Sequence, residues 1–185
     1  MLTRNELLAA LDAFRVSVRM ALPELYRRME DRDRVWAKAS ETELQGELDK
    51  YFVRASEPTL RVRLFFKLGQ DLVYGGCNRQ FALDGGFSNP ADMIGLNDFD
   101  PRISWIAQAG KYRKNDREVM EQGQPLLGII ERQSSTSGLI WLDTSKVPIV
   151  ESFRVIGIFG TYEVIDSATA WRRSMDRQKA ESSAT

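Results

Sequence analysis

The sequence predicts an α+β domain with a five-stranded antiparallel sheet, short helices on one face of the sheet, and helical segments before and after it. Three observations support this fold class. Apolar residues follow a helical period in the N-terminal quarter of the chain. A two-residue period begins at Leu60, and three more strand-like runs follow Gly123. The stretch between these two groups of strands shows little strand pattern and is punctuated by Gly and Pro.

The N-terminal segment is predicted to be helical from residue 3 to about residue 54, because its apolar residues recur at spacings of three and four. This stripe consists of Leu7, Leu11, Phe14, Val18, Ala21 and Leu25. Pro23 interrupts it, so one helix kinks there or a second helix begins there. The run Ser40–Glu43 predicts a capping box and a further helix that reaches about Val53. These helices either cap their own domain or form a dimerisation surface, and the two roles are compatible.

The first two strands are predicted to form a hairpin. Every second residue of Leu60–Leu68 is apolar, which is typical of a strand with one apolar face. Gly69–Asp71 then supplies a short turn into a second strand at Leu72–Asn78.

The middle of the chain is predicted to hold short helices. One covers Ile103–Ala109, and Asp98 and Asp100 are expected to cap it by accepting hydrogen bonds from exposed amides. A better helix covers Asn115–Gln122 and ends at Gly123, which tolerates the positive φ of a helix C-cap.

Three more strands are predicted at Leu126–Gln133, Leu139–Val150 and Phe153–Val164. The last of them is apolar on both sides, whereas a strand in an antiparallel sheet usually has one apolar face. Both faces of the sheet are therefore covered, one by the middle helices and the other by the N-terminal helices or a partner subunit. The polar segment Ser167–Lys179 is predicted to be a final helix, with Ala168, Trp171 and Met175 along one side.

The amino-acid composition excludes several kinds of functional site. The chain has no histidine, which excludes a Ser-His-Asp triad, phosphorylation on histidine and histidine ligation of zinc or haem. Its single cysteine excludes an intramolecular disulfide, and 26 basic residues against 26 acidic ones give no support for direct nucleic-acid binding. With no signal-peptide pattern and no apolar stretch near the ~18 residues of a membrane span, we predict a cytoplasmic protein without a membrane segment.

Several short motifs occur in a defined order. They are Asn78–Ala82, Pro90–Gly95, Asn97–Asp100, Tyr112-Arg113 with Asp116, Trp141-Leu142, Ser145-Lys146 with Pro148, and Ile156–Ile158. Their joint order over residues 60–166 resembles a PAS domain, the bacterial sensory-box module, and in particular its Asp-Phe-Asp, Tyr-Arg-x-x-Asp and Trp-Leu-x-x-Ser-Lys subgroup.

The resemblance implies a non-catalytic sensor for signal transduction. Residues 1–56 would be an N-terminal cap or dimerisation segment, residues 57–166 the PAS sensor domain, and residues 167–185 a C-terminal helix or linker to an output domain. The module would bind a small molecule or a partner and relay a conformational change through its flanking helices. Its effector would be a diguanylate cyclase, a kinase or a transcription regulator, as in cyclic-di-GMP or two-component signalling. A homodimer through the N-terminal helices is expected.

The candidate ligand-binding residues come from the same motifs and combine polar with aromatic side chains. They are Asn78, Asp98, Trp105, Tyr112, Arg113, Trp141 and Lys146. Each charged residue either forms a surface pair or points into a cavity. Arg113 is positioned to pair with Asp116 one helical turn later, and Lys146 with Asp98, Asp100 or Glu131. The aromatic residues either line a pocket or belong to the core.

The cofactor expectations are mostly negative. The flavin-binding light sensors of this superfamily carry a cysteine where this chain has Asp98, and Cys77 lies elsewhere, so a cysteinyl-flavin adduct is not expected. Histidine-ligated haem is excluded, whereas non-covalent flavin or an unidentified small molecule stays open. Two alternatives stay open as well: a ligand-free dimerisation platform, and a small α+β enzyme that uses Asp98, Asp116 and Lys146 for acid–base chemistry.

Overall fold

A computed structural model describes residues 2–21, 33–55 and 62–183 of the chain. Its five strands form one antiparallel sheet in the order β2-β1-β5-β4-β3. The strands are β1 Val62–Leu68, β2 Val73–Cys77, β3 Leu126–Ser135, β4 Gly138–Glu151 and β5 Arg154–Ile165. The helices are α1 Arg4–Ala21, α2 Asp33–Trp36, α3 Glu41–Ala55, α4 Arg79–Gly85, α5 Ala109–Gln122 and α6 Ser167–Ser183, with 3-10 turns at Pro90–Met93 and Ile106–Gln108. The predicted fold class is confirmed.

The sheet has two differently covered faces, because side chains alternate along each strand. The outer face carries Leu64 and Phe66 of β1, Val147 of β4 and Phe159 of β5, all in one apolar cluster with the N-terminal helices. The inner face carries Phe65 and is covered by α4, the segment 97–108 and α5. The prediction that both faces are covered is therefore confirmed, with the N-terminal helices on the outer face.

The N-terminal stripe packs on its own domain. Leu7, Leu11, Phe14 and Val18 are at most 1% exposed. The Phe14 ring contacts those of Tyr51 and Phe159 at centroid distances of 5.6 Å and 5.3 Å. These side chains are therefore not free to form a dimer seam. The predicted Pro23 kink, Leu25 and Leu60 lie outside the described residues.

The capping box that begins α3 is confirmed. The Ser40 hydroxyl and backbone N–H both donate to Glu43 Oε2, at 2.7 Å and 2.8 Å, and the Glu43 N–H donates back to the Ser40 hydroxyl at 3.3 Å. This reciprocal arrangement satisfies amides that a helix start leaves unpaired.

Two helices differ from their predicted extents. The predicted helix at Ile103–Ala109 is a single 3-10 turn, and α5 begins at Ala109 instead of Asn115. Gly110 disfavours a helix by propensity, but burial of Ala109 and Tyr112 against the sheet overrides it. As predicted, α5 ends at Gly123, whose φ is 63°.

The C-terminal helix α6 is confirmed, and it docks through a side other than that of Trp171. Ala170 is buried, whereas Trp171 is 72% exposed. Arg173 forms an ion pair with Asp143, and Arg177 donates to the carbonyl oxygens of Leu127 and Gly128. Charged and backbone contacts, rather than the Trp171 side, hold α6 on β3 and β4. No helix in the described ranges is long and apolar enough to cross a membrane.

Candidate functional site

Four charged side chains meet beneath the inner face of the sheet. Lys67 comes from β1, Asp98 from the loop after the first 3-10 turn, Asp116 from α5 and Lys146 from β4, and each is at most 2% exposed. Lys67 Nζ lies 2.5 Å from Asp98 Oδ2 and 2.6 Å from Asp116 Oδ2. Lys146 Nζ lies 2.5 Å from Asp116 Oδ1. We call these four residues the charge cluster.

Neutral donors complete the coordination of Asp98. The Tyr74 hydroxyl donates to Asp98 Oδ1 at 2.5 Å, and the Trp105 indole N–H donates to the same atom at 3.2 Å. Both Asp98 oxygens and both Asp116 oxygens therefore accept charged or neutral hydrogen bonds. A buried ionised carboxylate needs hydrogen-bond donors at its oxygens, because an unpaired charge in a protein interior is strongly unfavourable.

The pKa shifts reflect a balance between burial and attraction. Burial raises the pKa of Asp116, but attraction to Lys67 and Lys146 outweighs it and holds that pKa below its ordinary value. Burial lowers the pKa of Lys67, but attraction to Asp116 and Asp98 outweighs it and holds that pKa above its ordinary value. Burial, with the negative charge of Asp98, raises the pKa of Tyr74 well above its ordinary value. Asp116 is therefore a carboxylate and Lys67 an ammonium group at neutral pH.

A small cavity lies beside the charge cluster. Aromatic rings and polar groups share its wall, and its volume of about 20 Å³ is enough for one water molecule. The lining residues are Phe65, Lys67, Tyr74, Phe81, Asp98, Trp105, Tyr112, Glu131, Gln133, Leu142, Thr144, Lys146 and Tyr162. We call this space the inner cavity.

One polar atom of the cavity wall stands out. Thr144 is 2% exposed, and its Oγ1 has no hydrogen-bond partner among the residues that the structure describes. Its neighbours on the wall are engaged: Glu131 Oε2 lies 3.0 Å from Lys111 Nζ, and Gln133 Nε2 donates to the Tyr162 hydroxyl at 3.3 Å. A buried hydroxyl without a partner loses its hydration without compensation, so Thr144 marks a place where a further polar group fits.

Four of the seven predicted ligand-binding residues line the inner cavity. These four are Asp98, Trp105, Tyr112 and Lys146. The predicted pairings are wrong, however. Lys146 contacts Asp116 instead of Asp98, Asp100 or Glu131, because α5 lies across β4 and presents Asp116 to it. Asp98 does not cap a helix.

The other three predicted residues lie elsewhere. Asn78 caps α4: its Oδ1 accepts from the Phe81 and Leu64 amides at 3.2 Å and 3.1 Å, which makes its role structural. Arg113 does not pair with Asp116, and its guanidinium lies 5.2 Å from the Phe99 ring centroid. The ring of Trp141 lies beneath Arg132 at 5.2 Å, away from the cavity wall.

Sequence reasoning missed four participants in this site. The β1 alternation places Lys67 on the face opposite the apolar residues, yet Lys67 is 1% exposed. Its buried neighbour Phe65 on the same face was the available signal. Asp116 was predicted as an enzyme residue or as a partner of Arg113, and not as a ligand-site residue. Tyr74 and Thr144 carry no sequence signal, since each is one residue in an ordinary strand pattern.

The single cysteine is separate from the cavity wall. Cys77 is 5% exposed, and its Sγ lies 3.8 Å from the sulfur of Met93. Burial raises the pKa of its thiol to about 12, so it is a neutral thiol at physiological pH. It has the properties of a small buried apolar residue.

Similar solved structures identify the fold. No family model matches the sequence, and no curated protein matches it. A phage VqmA in complex with DPO superposes with a TM-score of 0.56 at 21% identity, over 76% of this chain and 60% of that chain. A Vibrio cholerae VqmA in complex with ligand and DNA superposes with a TM-score of 0.52 at 18% identity, over 63% of this chain and 50% of that chain.

A third match comes from the light-oxygen-voltage domains, a class of PAS domain. One of them, studied with a flavin analogue, superposes with a TM-score of 0.52 at 13% identity, over 72% of this chain and 96% of that chain. The chain spans only about half to three fifths of the length of the VqmA proteins. With the strand order β2-β1-β5-β4-β3 and helices over the inner face, these matches show that the chain has a PAS fold, as its motifs predict.

Proposed function

We propose that the chain is a non-catalytic sensory module that binds a small molecule in the inner cavity and transmits its occupancy to the flanking helices. The observation that carries this proposal is the combination of aromatic walls with the partnerless Thr144 hydroxyl in one small cavity. Ligand sites are typically apolar with a few convergent polar groups. The location in the cytoplasm and the absence of catalysis belong to the same proposal.

Binding requires the inner cavity to open, because about 20 Å³ holds only one water molecule. Tyr112 is the wall residue best suited to move. Its hydroxyl donates one long hydrogen bond, 3.4 Å to the Arg132 carbonyl oxygen, whereas Trp105 is anchored to Asp98 and is only 1% exposed. A contact of 3.4 Å is at the weak end of hydrogen bonding. A ligand would displace Tyr112 and leave the charge cluster in place.

Two strands connect the inner cavity to the N-terminal helices. On β1, Lys67 faces the cavity, while Phe66 on its other side packs into the outer apolar cluster. On β4, Lys146 faces the cavity and Val147 packs into the same outer cluster. Since α1 packs on β4 and β5 and α3 packs on β1, a shift of either lysine moves the surface that holds these helices. A ligand transmits a signal only if it binds one arrangement more tightly than the other.

The charged residues are better suited to scaffolding than to acid–base catalysis. Asp98 and Asp116 have all their carboxylate oxygens engaged, and Lys146 is held by Asp116. A general acid or base must reach a substrate proton, and the engaged carboxylates favour the non-catalytic proposal. Asp100 is separate from the cluster and pairs with Arg102 at 2.8 Å.

Flavin is a less suitable first probe than a smaller molecule, because an isoalloxazine ring needs a wider opening of a cavity of about 20 Å³. Cys77 does not line the cavity. VqmA is the more useful guide, because it shares the fold and is known in complex with DPO. DPO is therefore a concrete first probe for the inner cavity.

The effector and the assembly are further parts of the proposal. VqmA is known as a dimer and in complex with DNA. This supports a transcription regulator as the effector that the flanking helices serve, and a kinase or a diguanylate cyclase is the alternative.

A homodimer through the N-terminal helices would use exposed residues such as Val16 and Val53, which are 59% and 71% exposed, because the apolar stripe is buried. Replacing both with Glu should then lower the sedimentation coefficient to that of a monomer, and an unchanged dimer would exclude this interface.

The binding proposal is tested by NMR titration with DPO and with the small-molecule fraction of a bacterial extract. We expect the indole N–H resonance of Trp105 to shift, because it lies on the cavity wall and donates to Asp98. Components that remain chemically unchanged support a sensor. Loss of a component that is abolished in Asp98→Asn would show an enzyme instead.

A ligand-free dimerisation platform is the second candidate. The small volume of the inner cavity favours it, because about 20 Å³ has no room for a signal molecule unless the cavity opens. No shift of Trp105 with either probe, together with a stable dimer, would favour this platform over the sensor.

A further inference from the structure

The charges around the inner cavity are balanced. Lys67 and Lys146 contribute two positive charges, and Asp98 and Asp116 contribute two negative charges. The remaining carboxylate of the wall, Glu131, is countered by Lys111 at 3.0 Å. A charged molecule entering this space would lose its hydration and find every opposite charge already paired. The site is therefore unfavourable to anions and cations alike.

The partnerless Thr144 hydroxyl adds a chemical requirement. A hydroxyl both donates and accepts a hydrogen bond. Thr144 and Lys146 are two residues apart on β4, so both side chains face the cavity. A neutral group that contains a donor and an acceptor, such as a primary amide, would satisfy Oγ1 without breaking the charge cluster.

The shape of the wall points to a flat molecule. Phe81, Trp105 and Tyr112 line the cavity together, and the Phe81 and Trp105 rings meet edge to face at a centroid distance of 5.1 Å. Planar rings pack favourably against such surfaces. Displacement of Tyr112 would open a space bounded by these faces.

We propose that the inner cavity selects an uncharged, planar molecule with a hydrogen-bond donor and acceptor, and that the Thr144 hydroxyl is its polar anchor. This inference rests on the proposed sensory function. It goes beyond that function because it states the net charge of the ligand and names the residue that forms a hydrogen bond with its polar group. Thr144 is then a specificity-determining residue, because a site built to hydrogen-bond a ligand group discriminates strongly against analogues that lack it.

Three probes of nearly equal shape separate the charge states: benzamide is neutral, benzoate is an anion and benzamidine is a cation. Their dissociation constants are measured by NMR titration of the full chain, from the Trp105 indole N–H and the Thr144 methyl resonances. We expect benzamide to bind at least about tenfold more tightly than either charged probe, since burial of an unpaired charge is far less favourable than burial of a hydrogen-bonded amide.

The substitution Thr144→Val tests the anchor. It replaces the hydroxyl with a methyl group of similar size, and removal of a partnerless buried hydroxyl leaves stability equal or higher. The variant therefore folds, which its urea midpoint verifies. We expect the affinity for benzamide to fall by about threefold to tenfold, the range that one net hydrogen bond supplies. Thr161→Val is the matched control, because Thr161 is 5% exposed and faces the outer side of the sheet. Its benzamide affinity should not change.

The outcomes distinguish this inference from the proposed function. Tightest binding by benzoate or benzamidine at the cavity, or a benzamide affinity that is equal in Thr144→Val and the wild type, would overturn the inference while leaving a ligand-binding module intact. Absence of any shift at Trp105 with all three probes at millimolar concentration would overturn the inference and count against the proposed function as well.

Discussion

The two faces of the sheet bury different kinds of side chain. The outer face buries mainly apolar groups, with the rings of Phe14, Phe52, Phe66 and Phe159 packed together under the N-terminal helices. The inner face buries the charge cluster and Glu131 beside its own aromatic residues, and leaves a small cavity between them. One sheet therefore separates a mainly apolar layer from a polar interior.

This difference assigns separate roles to the two layers. Apolar packing supplies free energy of folding and tolerates few voids, so the outer layer fixes the N-terminal helices. Buried ion pairs add little net stability, but their loss is expensive, so the inner layer holds its shape through the charge cluster.

The largest change in the free energy of unfolding is expected from Phe14→Ala in the outer layer. Phe14 is 0% exposed and contacts three other rings, so its truncation should lower the free energy of unfolding by about 4 kcal/mol through lost burial and a residual cavity. Urea denaturation measures the change. Val16→Ala on the same helix is the control, because Val16 is 59% exposed and should change stability by less than about 0.5 kcal/mol. A loss below about 1 kcal/mol for Phe14→Ala would show that α1 is not a fixed layer.

A slightly smaller loss, about 3 kcal/mol, is expected from Asp116→Asn in the inner layer. The substitution leaves Lys67 and Lys146 with the single carboxylate of Asp98. Glu121→Gln is the control on the exposed side of the same helix. The double variant Asp116→Leu with Lys146→Met restores charge balance around the Lys67–Asp98 pair, so it should be more stable than Asp116→Asn. A double variant that is less stable would mean that packing, and not charge, governs this layer.

The third prediction is that the contribution of the charge cluster to stability depends on pH. The pKa of Asp116 in the folded chain lies below its ordinary value of 3.8, so its stabilising contribution is complete above that value and is lost as the pH falls through the lower, folded-state pKa. The pKa of Lys67 lies above 10.5, so its contribution is complete below that value and is lost only as the pH rises through the higher, folded-state pKa.

The difference in unfolding free energy between wild type and Asp116→Asn should therefore be constant near neutral pH and shrink in acid below about pH 4. Urea denaturation across this range measures it for both proteins. Because the wild type and the variant share every other carboxylate, the difference isolates Asp116. A difference that stays unchanged in acid would contradict the ionised cluster.

The smallest change in the free energy of unfolding is expected outside both layers, in the turn between β4 and β5. Phe153 is fully exposed and has a φ of 66°, which is unfavourable for a bulky residue. Phe153→Asn should raise the free energy of unfolding by less than about 1 kcal/mol, because asparagine adopts this conformation more readily. Its urea midpoint measures the gain, and Phe153→Leu, which keeps the strain, is the matched control. A clear loss of stability in Phe153→Asn would show that this ring has a packing role.

Local sequence signals predicted most of the fold and only part of the site. The capping box at Ser40–Glu43, the β1–β2 hairpin and the end of α5 at Gly123 are all set by neighbouring residues, so pattern reasoning found them. The pairing of Lys67 with Asp116 joins residues 49 positions apart. No periodicity encodes such a contact, because it depends on how α5 crosses the sheet.

Occupancy of the inner cavity should change the stability of the helices on the outer face. Hydrogen exchange of the full chain, with and without saturating benzamide, tests this most directly, because backbone amides of α1 and α3 report on the outer layer while those of α5 report on the inner one. We predict that benzamide changes the protection of α5 together with α1 and α3. Changes confined to α5 and the segment 97–108, with α1 and α3 unaltered, would contradict the account.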